Sequence, residues 1–352
     1  MTSNKINITH TSLLKEISEL VEQARKRVAV TANHETTMLY WNIGKRINDE
    51  ILNNQRAEYG KQITAILSQQ LKNQFGAKGF EIRSLQRMMQ FAEKFPNIQI
   101  ASTLSTQLSW SHFVELLPLQ DELQRDFYST MAVCERWGVR TLRAKIDGML
   151  FERTAISEKP DETIKMELSN LRNNDIITPD LVFRSPYFLD FTGLKGMYSE
   201  KTLEDSLLVS LQEFIMELGA GFSFIERQKR MIIDGEDFYL DLLFYHRKLH
   251  RLIAVELKLG RFKAAYKGQM ELYLRWLEKN EVERGEESPL GLILCTEGGD
   301  EQIELLQLDK AGIKVAKYLT ELPDKHLLEQ QLKQSLSLAK ERFANTTSSE
   351  EE

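Results

Sequence analysis

The chain has few cysteines, no long apolar run and no excess of positive charge. Its two cysteines, Cys134 and Cys295, lie inside apolar stretches, which excludes a disulfide framework and a cysteine-based zinc site. No apolar run is long enough to cross a bilayer, and the first residues lack an apolar signal core. We therefore expect a cytoplasmic protein that makes no use of a membrane.

The charge balance counts mildly against binding of a polyanion. The 352 residues carry a net charge of −6, with an isoelectric point near 5.7, whereas nucleic-acid-binding proteins usually show a basic face. The charge is uneven, however, because residues 227–230 and 247–267 are locally basic and the C-terminal end is acidic. The local field at a site matters more than the sum.

The stretch from Asp237 to Arg261 predicts a β-hairpin. Two runs rich in aromatic, aliphatic and β-branched residues flank a short basic segment. A loop of four residues, 247–250, would pair His246 with Arg251. Counting back along this register sets a carboxylate of the first strand opposite a carboxylate of the second.

These two carboxylates are Asp241 and Glu256, and Lys258 shares a face with Glu256 because it lies two residues further along. Directly opposed side chains have Cβ atoms roughly 5 Å apart. Two acids that close in apolar surroundings repel each other unless a proton or a cation lies between them. Oxygen-rich sites of this kind suit Mg²⁺ or Mn²⁺.

Four motifs in order extend the pattern. They are E-L-G-A-G-F-S-F-I-E-R-Q from Glu217, D-F-Y-L-D-L-L-F-Y-H from Asp237, V-E-L-K from Val255 and G-Q-M-E-L-Y from Gly268. The set resembles the PD-(D/E)XK nuclease superfamily and, more narrowly, the YhcG-type bacterial proteins, over about residues 14–322. The resemblance implies an α+β or α/β chain. A mostly helical, winged-helix-like N-terminal domain would precede a restriction-endonuclease-like α-β-β-β-α-β domain with a mixed sheet.

We accordingly divide the chain into four parts. Residues 12–155 form the helical domain, which would bind nucleic acid or a partner, and 156–199 form a connector with short extended pieces. Residues 200–325 form the nuclease domain, and 326–352 form a charged helix and an acidic tail. Within the first part, apolar spacing predicts one amphipathic helix from Ser12 to about Val30 and a second from about Glu35 to Asn53.

The resemblance also implies further site residues. The backbone carbonyl of Leu257 would join Asp241 and Glu256 at the metal, and so would Glu204 of a helix expected over about 200–218. Glu213 competes with Glu204 for this place, and Glu204 could instead simply favour the helix dipole. Gln269, followed four residues later by Tyr273 as in RecB-type members, would orient a water or a phosphate oxygen. Its alternative role is to satisfy backbone at a packed interface.

Contacts to nucleic acid are expected from two places. Arg227 and Gln228 alternate with apolar residues on a predicted strand and would face a phosphate backbone, and Tyr273 would lie at the same edge. In the helical domain, a helix after Gly79 carries basic residues along one face. This face, made by Arg83, Arg87 and Lys94, could lie against phosphates, although a solvated surface explains it as well.

Three functions remain open from the sequence. The first is a Mg²⁺-dependent nuclease that hydrolyses phosphodiester bonds of nucleic acid, most simply DNA, in repair, mobile-element or defence processes, with Asp241, Glu256, Lys258 and Gln269 as catalytic residues. The second is a catalytically inactive nucleic-acid-binding module of a larger complex that uses the same cleft. The third is a protein-protein scaffold, in which the three charged residues form a buried ion-pair network. A homodimer or partner proteins would suit double-strand cutting.

Overall fold

The computed structural model describes residues 3–54, 57–76, 79–154, 159–297, 300–324, 326–334 and 336–337. The chain divides into two compact units, residues 1–144 and 145–352. None of the helices in these described segments is both long and apolar enough to cross a bilayer. The acidic tail that we expected beyond residue 337 lies outside the described residues.

The first unit is helical, as expected. No strand occurs among its described residues, so the β-hairpin wing of a winged helix is not seen there. Its helices are α1 Ser3–Asn54, α2 Ala57–Phe75, α3 Ile82–Lys94, α4 Ile98–Ser105, α5 Trp110–Leu116, α6 Glu122–Cys134 and α7 Val139–Asp147, the last of which crosses the division between the units.

Helix α1 is continuous where the sequence suggested two helices. Its 52 residues span about 78 Å. Residues 14–32 are exposed, whereas from Asn33 onward the helix packs against its own unit. The Asn33 amide donates to the carbonyls of Ser105 and Leu108, and Trp41 Nε1 donates to Phe95 O at 2.8 Å. The predicted boundary therefore marks the start of packing rather than the end of a helix.

Close contact between α1 and α3 depends on a glycine. A Cβ placed on Gly44 would lie 1.8 Å from the carbonyl oxygen of Met88. No side chain fits this gap. The two helices therefore approach backbone to backbone, and Leu85, Met88 and Ile47 fill the space beside them.

The second unit contains a six-stranded mixed sheet, as expected. The strand order is β1-β6-β5-β4-β3-β2, with β2, β3 and β4 antiparallel and β4, β5, β6 and β1 parallel. The strands are β1 Tyr187–Phe188, β2 Phe222–Ile233, β3 Glu236–His246, β4 Arg251–Arg261, β5 Leu290–Glu297 and β6 Ile313–Leu319. The helices are α8 Leu150–Arg153, α9 Asp161–Asn174, α10 Pro179–Val182, α11 Glu200–Val209, α12 Leu211–Leu218, α13 Ala265–Asn280 and α14 Asp300–Leu305, and residues 326–334 and 336–337 are also helical.

Apolar side chains cover both faces of this sheet. On one face, Phe214 of α12 meets Phe244 of β3 with ring centroids 5.9 Å apart. On the other face, α13 buries Met270 and Leu277 against the strands. A Cβ on Gly291 of β5 would lie 2.6 Å from Met270 Cγ, so the glycine lets α13 approach the sheet closely.

Two segments differ from expectation. The segment 156–199, expected as a connector with extended pieces, contains α9, whose buried Ile164, Leu168 and Leu171 follow helical spacing. It also contains β1, which pairs with β6 and so belongs to the sheet. The single helix expected over 200–218 is interrupted at Ser210, which leaves the α region at φ −108° and ψ 38°.

Candidate active site

The β3–β4 hairpin has the predicted register. His246 pairs with Arg251 across a turn of four residues, and the ladder continues as far as Leu242 and Val255. The next position in this register would pair Asp241 with Glu256. The regular pairing stops just before that position, so the site begins where the two strands cease to form a ladder.

Beyond this point, side-chain carboxylates rather than strand carbonyls accept hydrogen bonds from the backbone. The backbone N–H of Asp241 donates to Glu256 Oε1 at 3.3 Å, and the backbone N–H of Leu257 donates to Asp241 Oδ2 at 2.9 Å. Buried backbone donors need partners. Each acid therefore satisfies a backbone N–H that the interrupted ladder leaves available, and this fixes both carboxylates between the strands.

Lys258 completes the group on β4. Its Nζ lies 2.7 Å from Glu256 Oε2, and the Tyr266 ring of α13 lies 5.6 Å from the same nitrogen. Burial favours a lower pKa for Lys258, but the charge of Glu256 and their hydrogen bond outweigh it and raise this pKa. Lys258 is therefore held as an ammonium.

Glu204 of α11 reaches the same group through Gln228. The Gln228 amide donates to Glu204 Oε2 at 2.8 Å and to Asp241 Oδ1 at 3.1 Å. Gln228 lies in β2 with φ +47°, a left-handed conformation that is strained for a residue with a side chain. Its side chain is directed at these two acids. We had expected it to face a phosphate backbone.

All three carboxyl groups have raised pKa values. Burial is the first cause for Glu256, the charge of Asp241 is the second, and together they raise its pKa to about 7. Burial raises the pKa of Asp241, and burial followed by the charge of Asp241 raises that of Glu204. Glu204 Oε1 is buried and forms no hydrogen bond among the described residues. The cluster therefore holds more negative charge than Lys258 offsets.

This donor set fits a hard divalent cation, because carboxylates that repel one another are stabilised by one. No three His, Cys, Asp or Glu side chains of the described segments are arranged to hold a metal by themselves. Mg²⁺ commonly uses one or two carboxylates and keeps several waters. Asp241 and Glu256 would thus suffice, with other ligands from solvent, backbone or substrate.

The helix beside the site carries Gln269 and Tyr273. Gln269 Nε2 donates to the Tyr273 hydroxyl at 2.8 Å, and this hydroxyl donates to Tyr239 O at 3.3 Å. We had expected the Tyr273 ring to contact nucleic acid. It is instead buried, with 2% of its surface exposed. Gln269 instead connects the helix surface to this buried hydroxyl.

The basic residues that were predicted to contact nucleic acid differ in how accessible their side chains are. Arg227 is half exposed, with Nε 3.8 Å from Glu204 Oε1. In the first unit, Arg83 is exposed and Arg87 is partly exposed. Lys94 donates to Leu119 O at 2.8 Å and to Gln120 Oε1 at 3.1 Å, so it supports a loop of its own unit. Of the three α3 residues that were predicted to contact nucleic acid, only Lys94 is engaged in this way, and Arg83 and Arg87 remain accessible for such contacts.

One acid of the site was not predicted from the sequence. Glu200, in the first turn of α11, accepts from the backbone N–H of Leu259 at 2.9 Å. Ser199 caps this helix with its side chain, so the start of the helix could be predicted from the sequence. The approach of Glu200 to β4 could not. Glu204 lies in the second turn, which weakens the helix-dipole alternative. Glu213, its competitor, is exposed.

Two solved structures have partial similarity to this chain. The crystal structure of a repair endonuclease from Pyrococcus abyssi is 22% identical, with a TM-score of 0.26, and the match covers 35% of this chain and 48% of that one. The structure of an EndoMS–dsDNA complex is 18% identical, with a TM-score of 0.27, and the match covers 37% and 49%. The chain thus spans about half of each of these structures.

Family models and a curated relative match most of the chain. Residues 16–153 match the DUF1016 N-terminal domain, and residues 180–337 match the YhcG PDDEXK nuclease domain. The Escherichia coli (strain K12) protein described as "Putative nuclease YhcG" is 31% identical over 359 residues, covering 93% of this chain and 94% of its own length. The chain therefore belongs to the YhcG family and carries a nuclease domain of the PD-(D/E)XK type.

Proposed function

We propose that this protein is a Mg²⁺-dependent nuclease, also served by Mn²⁺, that hydrolyses phosphodiester bonds of DNA in repair, mobile-element or defence processes. One observation carries the proposal. Asp241 and Glu256 meet where the β3–β4 ladder stops, both have raised pKa values, and Lys258 lies 2.7 Å from Glu256. The match of residues 180–337 to the YhcG PDDEXK nuclease domain supports the same reaction class.

Asp241 and Glu256 would hold the metal, with the Leu257 carbonyl and Glu204 as further donors. A divalent cation bound there supplies a water of lowered pKa and a Lewis acid for the phosphate. The ammonium of Lys258 offers its positive charge to the charge that develops on the phosphoryl oxygens. The hydrogen bond from Leu257 N–H holds Asp241 in place, and Gln228 holds Glu204 beside it.

Substrate contacts would come from residues that remain available. Arg227 is half exposed next to Glu204 and would position a backbone phosphate. Gln269 would orient a phosphate oxygen or water through the part of its amide that does not donate to Tyr273. In the 12–155 domain, Arg83 and Arg87 would add contacts to nucleic acid that weaken as salt rises.

The decisive experiment is a cleavage panel on linear, nicked and branched DNA and on RNA, with Mg²⁺, Mn²⁺ or EDTA. We expect Lys258→Ala to reduce cleavage about 100- to 1000-fold, since it removes a charge that stabilises the transition state. Lys229→Ala is the matched control, because Lys229 has a comparably buried side chain, also pairs with acids and lies on β2. Equal cleavage by wild type and Lys258→Ala would refute the assignment.

A second candidate is a non-catalytic nucleic-acid-binding module. It is favoured by the ion pair between Lys258 and Glu256 at 2.7 Å, because this pair engages one of the two carboxylates that would hold the metal. Binding would then persist in EDTA, and no metal would produce cleavage on any substrate of the panel.

A further inference from the structure

Gln228 joins two acids of the candidate active site that belong to different elements. Its amide nitrogen Nε2 lies 2.8 Å from Glu204 Oε2 on α11 and 3.1 Å from Asp241 Oδ1 on β3. Ionised carboxylates only accept hydrogen bonds, whereas an amide nitrogen has two hydrogens to donate. Both hydrogens of this nitrogen are therefore used, one on each acid. A single nitrogen atom thus sets how far apart Glu204 and Asp241 lie.

The backbone of β2 departs from regular strand geometry at this residue. Gln228 has φ +47°, in the left-handed region that residues with a side chain rarely adopt. The residues on either side, Arg227 and Lys229, keep their pairing with β3. Backbone strain of this kind persists only where the surrounding structure maintains it. Here it coincides with the residue whose side chain contacts the two acids.

The two acids keep oxygen lone pairs for a cation. Glu204 Oε1 is buried and has no hydrogen-bond partner within the described segments, and Arg227 Nε is 3.8 Å from it. A buried polar atom without a partner is costly. Because Gln228 holds the other oxygen of this carboxylate, Oε1 is the atom left for a cation. At Asp241, Oδ2 accepts from the Leu257 N–H and keeps a second lone pair.

We propose that Gln228 is a positioning residue that fixes Glu204 and Asp241 at a separation suited to an ion of the size of Mg²⁺. This role rests on the metal-dependent function proposed above, and Gln228 acts only through the two acids. Mg²⁺ requires near-ideal octahedral geometry at about 2.0–2.1 Å, whereas Ca²⁺ accepts flexible arrangements at about 2.3–2.6 Å. Acids that share one amide nitrogen do not move apart freely, so these hydrogen bonds favour the smaller ion.

Metal binding measured without substrate tests this role. Gln228→Asn keeps an amide and tolerates the left-handed backbone, but its side chain is one methylene shorter and does not reach both acids. We expect its Mg²⁺ dissociation constant to be about 10- to 100-fold higher than that of wild type. Ca²⁺ binding should weaken less, because Ca²⁺ adapts to less regular ligands. Thermal unfolding of the full chain over a range of MgCl₂ or CaCl₂ concentrations measures both constants.

Gln307→Asn is the matched control, since Gln307 also has φ +47° but is exposed just before the short helix Leu308–Ala311. It should bind both ions as wild type does. Gln228→Gly is a second variant, because glycine adopts this backbone without strain and removes the amide altogether. It should lose Mg²⁺ affinity as Gln228→Asn does, so the test stands even if the shorter side chain disturbs the fold.

Cleavage of DNA at increasing MgCl₂ separates a positioning role from general damage to the fold. For Gln228→Asn, the Mg²⁺ concentration that gives half-maximal cleavage should rise by the same factor as the dissociation constant. The rate should then recover toward wild type as Mg²⁺ approaches saturation. A protein that was merely destabilised would show no shift of this concentration.

Equal Mg²⁺ affinity in wild type and Gln228→Asn would overturn the positioning role while leaving the metal-dependent function intact. Tighter binding by the variant would also overturn it, because the amide would then compete with the cation. Equal weakening of Mg²⁺ and Ca²⁺ binding would contradict the preference for the smaller ion. If wild type itself bound neither ion, the metal-dependent function would fail together with this role.

Discussion

Two buried charge clusters of the second unit have opposite balances. Around Glu217, a single carboxylate accepts from Arg153 Nη1 at 2.5 Å and from the Phe188 backbone N–H at 2.9 Å, while Arg184 Nη1 lies 3.9 Å away. Here two guanidinium groups lie beside one carboxylate. Around Asp241 and Glu256, three acids including Glu204 lie near the ammonium of Lys258 and the half-exposed guanidinium of Arg227, which is 3.8 Å from Glu204. Burial, together with the charges of neighbouring acids, raises the pKa values of these three carboxyl groups.

The difference separates a structural network from a reactive one. Arg153 also donates to Gly148 O and Pro186 O and stacks over the Phe188 ring at 3.7 Å, so the Glu217 cluster joins distant segments. In this cluster the cations outnumber the acid, whereas in the acidic cluster the acids outnumber the cations beside them. Buried carboxylates that lie close together are destabilising unless positive charge offsets them. We infer that the imbalance is retained for a cation and a phosphate.

The largest effect on stability is expected at the Glu217 cluster. Glu217→Ala leaves the buried Arg153 and Arg184 without their carboxylate, and we expect the free energy of unfolding to fall by about 3–5 kcal/mol. Urea denaturation measures it. Cleavage per folded molecule, measured well below the melting temperature, should stay close to wild type.

Glu213→Ala is the control for this prediction, because Glu213 lies on the same helix but is exposed. Its effect should remain within about 0.5 kcal/mol. If Glu217→Ala abolished cleavage while the protein kept its full stability, the division between a structural and a reactive cluster would be wrong.

An intermediate effect is expected at His246, which is buried on β3. Burial, followed by the charge of Lys248, lowers its pKa from 6.5 to about 4. The unfolded chain therefore takes up a proton first as the pH falls. The stability associated with a neutral His246 is complete above pH 6.5 and is lost between 6.5 and about 4, amounting to about 2 kcal/mol between about pH 7.5 and about pH 5.

His246→Asn removes the titration while keeping an acceptor for the Leu249 N–H, which His246 Nδ1 accepts at 3.1 Å. Urea denaturation at the two pH values should therefore show a smaller loss on acidification than in wild type. His250→Asn, at the exposed end of the same turn, should keep the wild-type loss. The prediction fails if both variants lose the same stability as wild type.

Much of the site was readable from the sequence because it depends on local geometry. The length of the turn and the alternation of apolar residues set the pairing of His246 with Arg251. From this pairing, the proximity of Asp241 and Glu256 follows by counting. Lys258 lies beside Glu256 because alternate residues of a strand share a face.

Other features depend on tertiary contacts that no local pattern encodes. Gln228 lies opposite Asp241 because the β2–β3 register pairs Arg227 with Leu242 and Lys229 with Leu240, and the irregularity between Phe224 and Glu226 prevents this register from being counted from the sequence. The continuity of α1 is invisible for a similar reason, since the change at Asn33 is a change of packing and not of helix propensity. Tyr273 matched a surface motif, but the fold buries it.

The smallest predicted effect is a metal-dependent gain in stability at the acidic cluster. With MgCl₂ at ten times its dissociation constant, binding should stabilise wild type by about 1.4 kcal/mol. Asp241→Asn removes one of the two acids on adjoining strands, so this gain should disappear. Without metal the variant should be at least as stable as wild type, because burial no longer opposes a charge at this position, whose carboxyl has a raised pKa. Thermal unfolding with MgCl₂ and with EDTA measures both quantities.

Asp237→Asn provides the matched control, since Asp237 is on the same strand but is exposed and pairs with Arg230 at 2.9 Å. It should keep the full magnesium gain. If wild type and Asp241→Asn gained equally from MgCl₂, the cation would bind elsewhere, and the excess of acid would need another explanation. If neither gained, while Asp241→Asn was less stable than wild type in EDTA, the acidic cluster would be a structural network like that of Glu217.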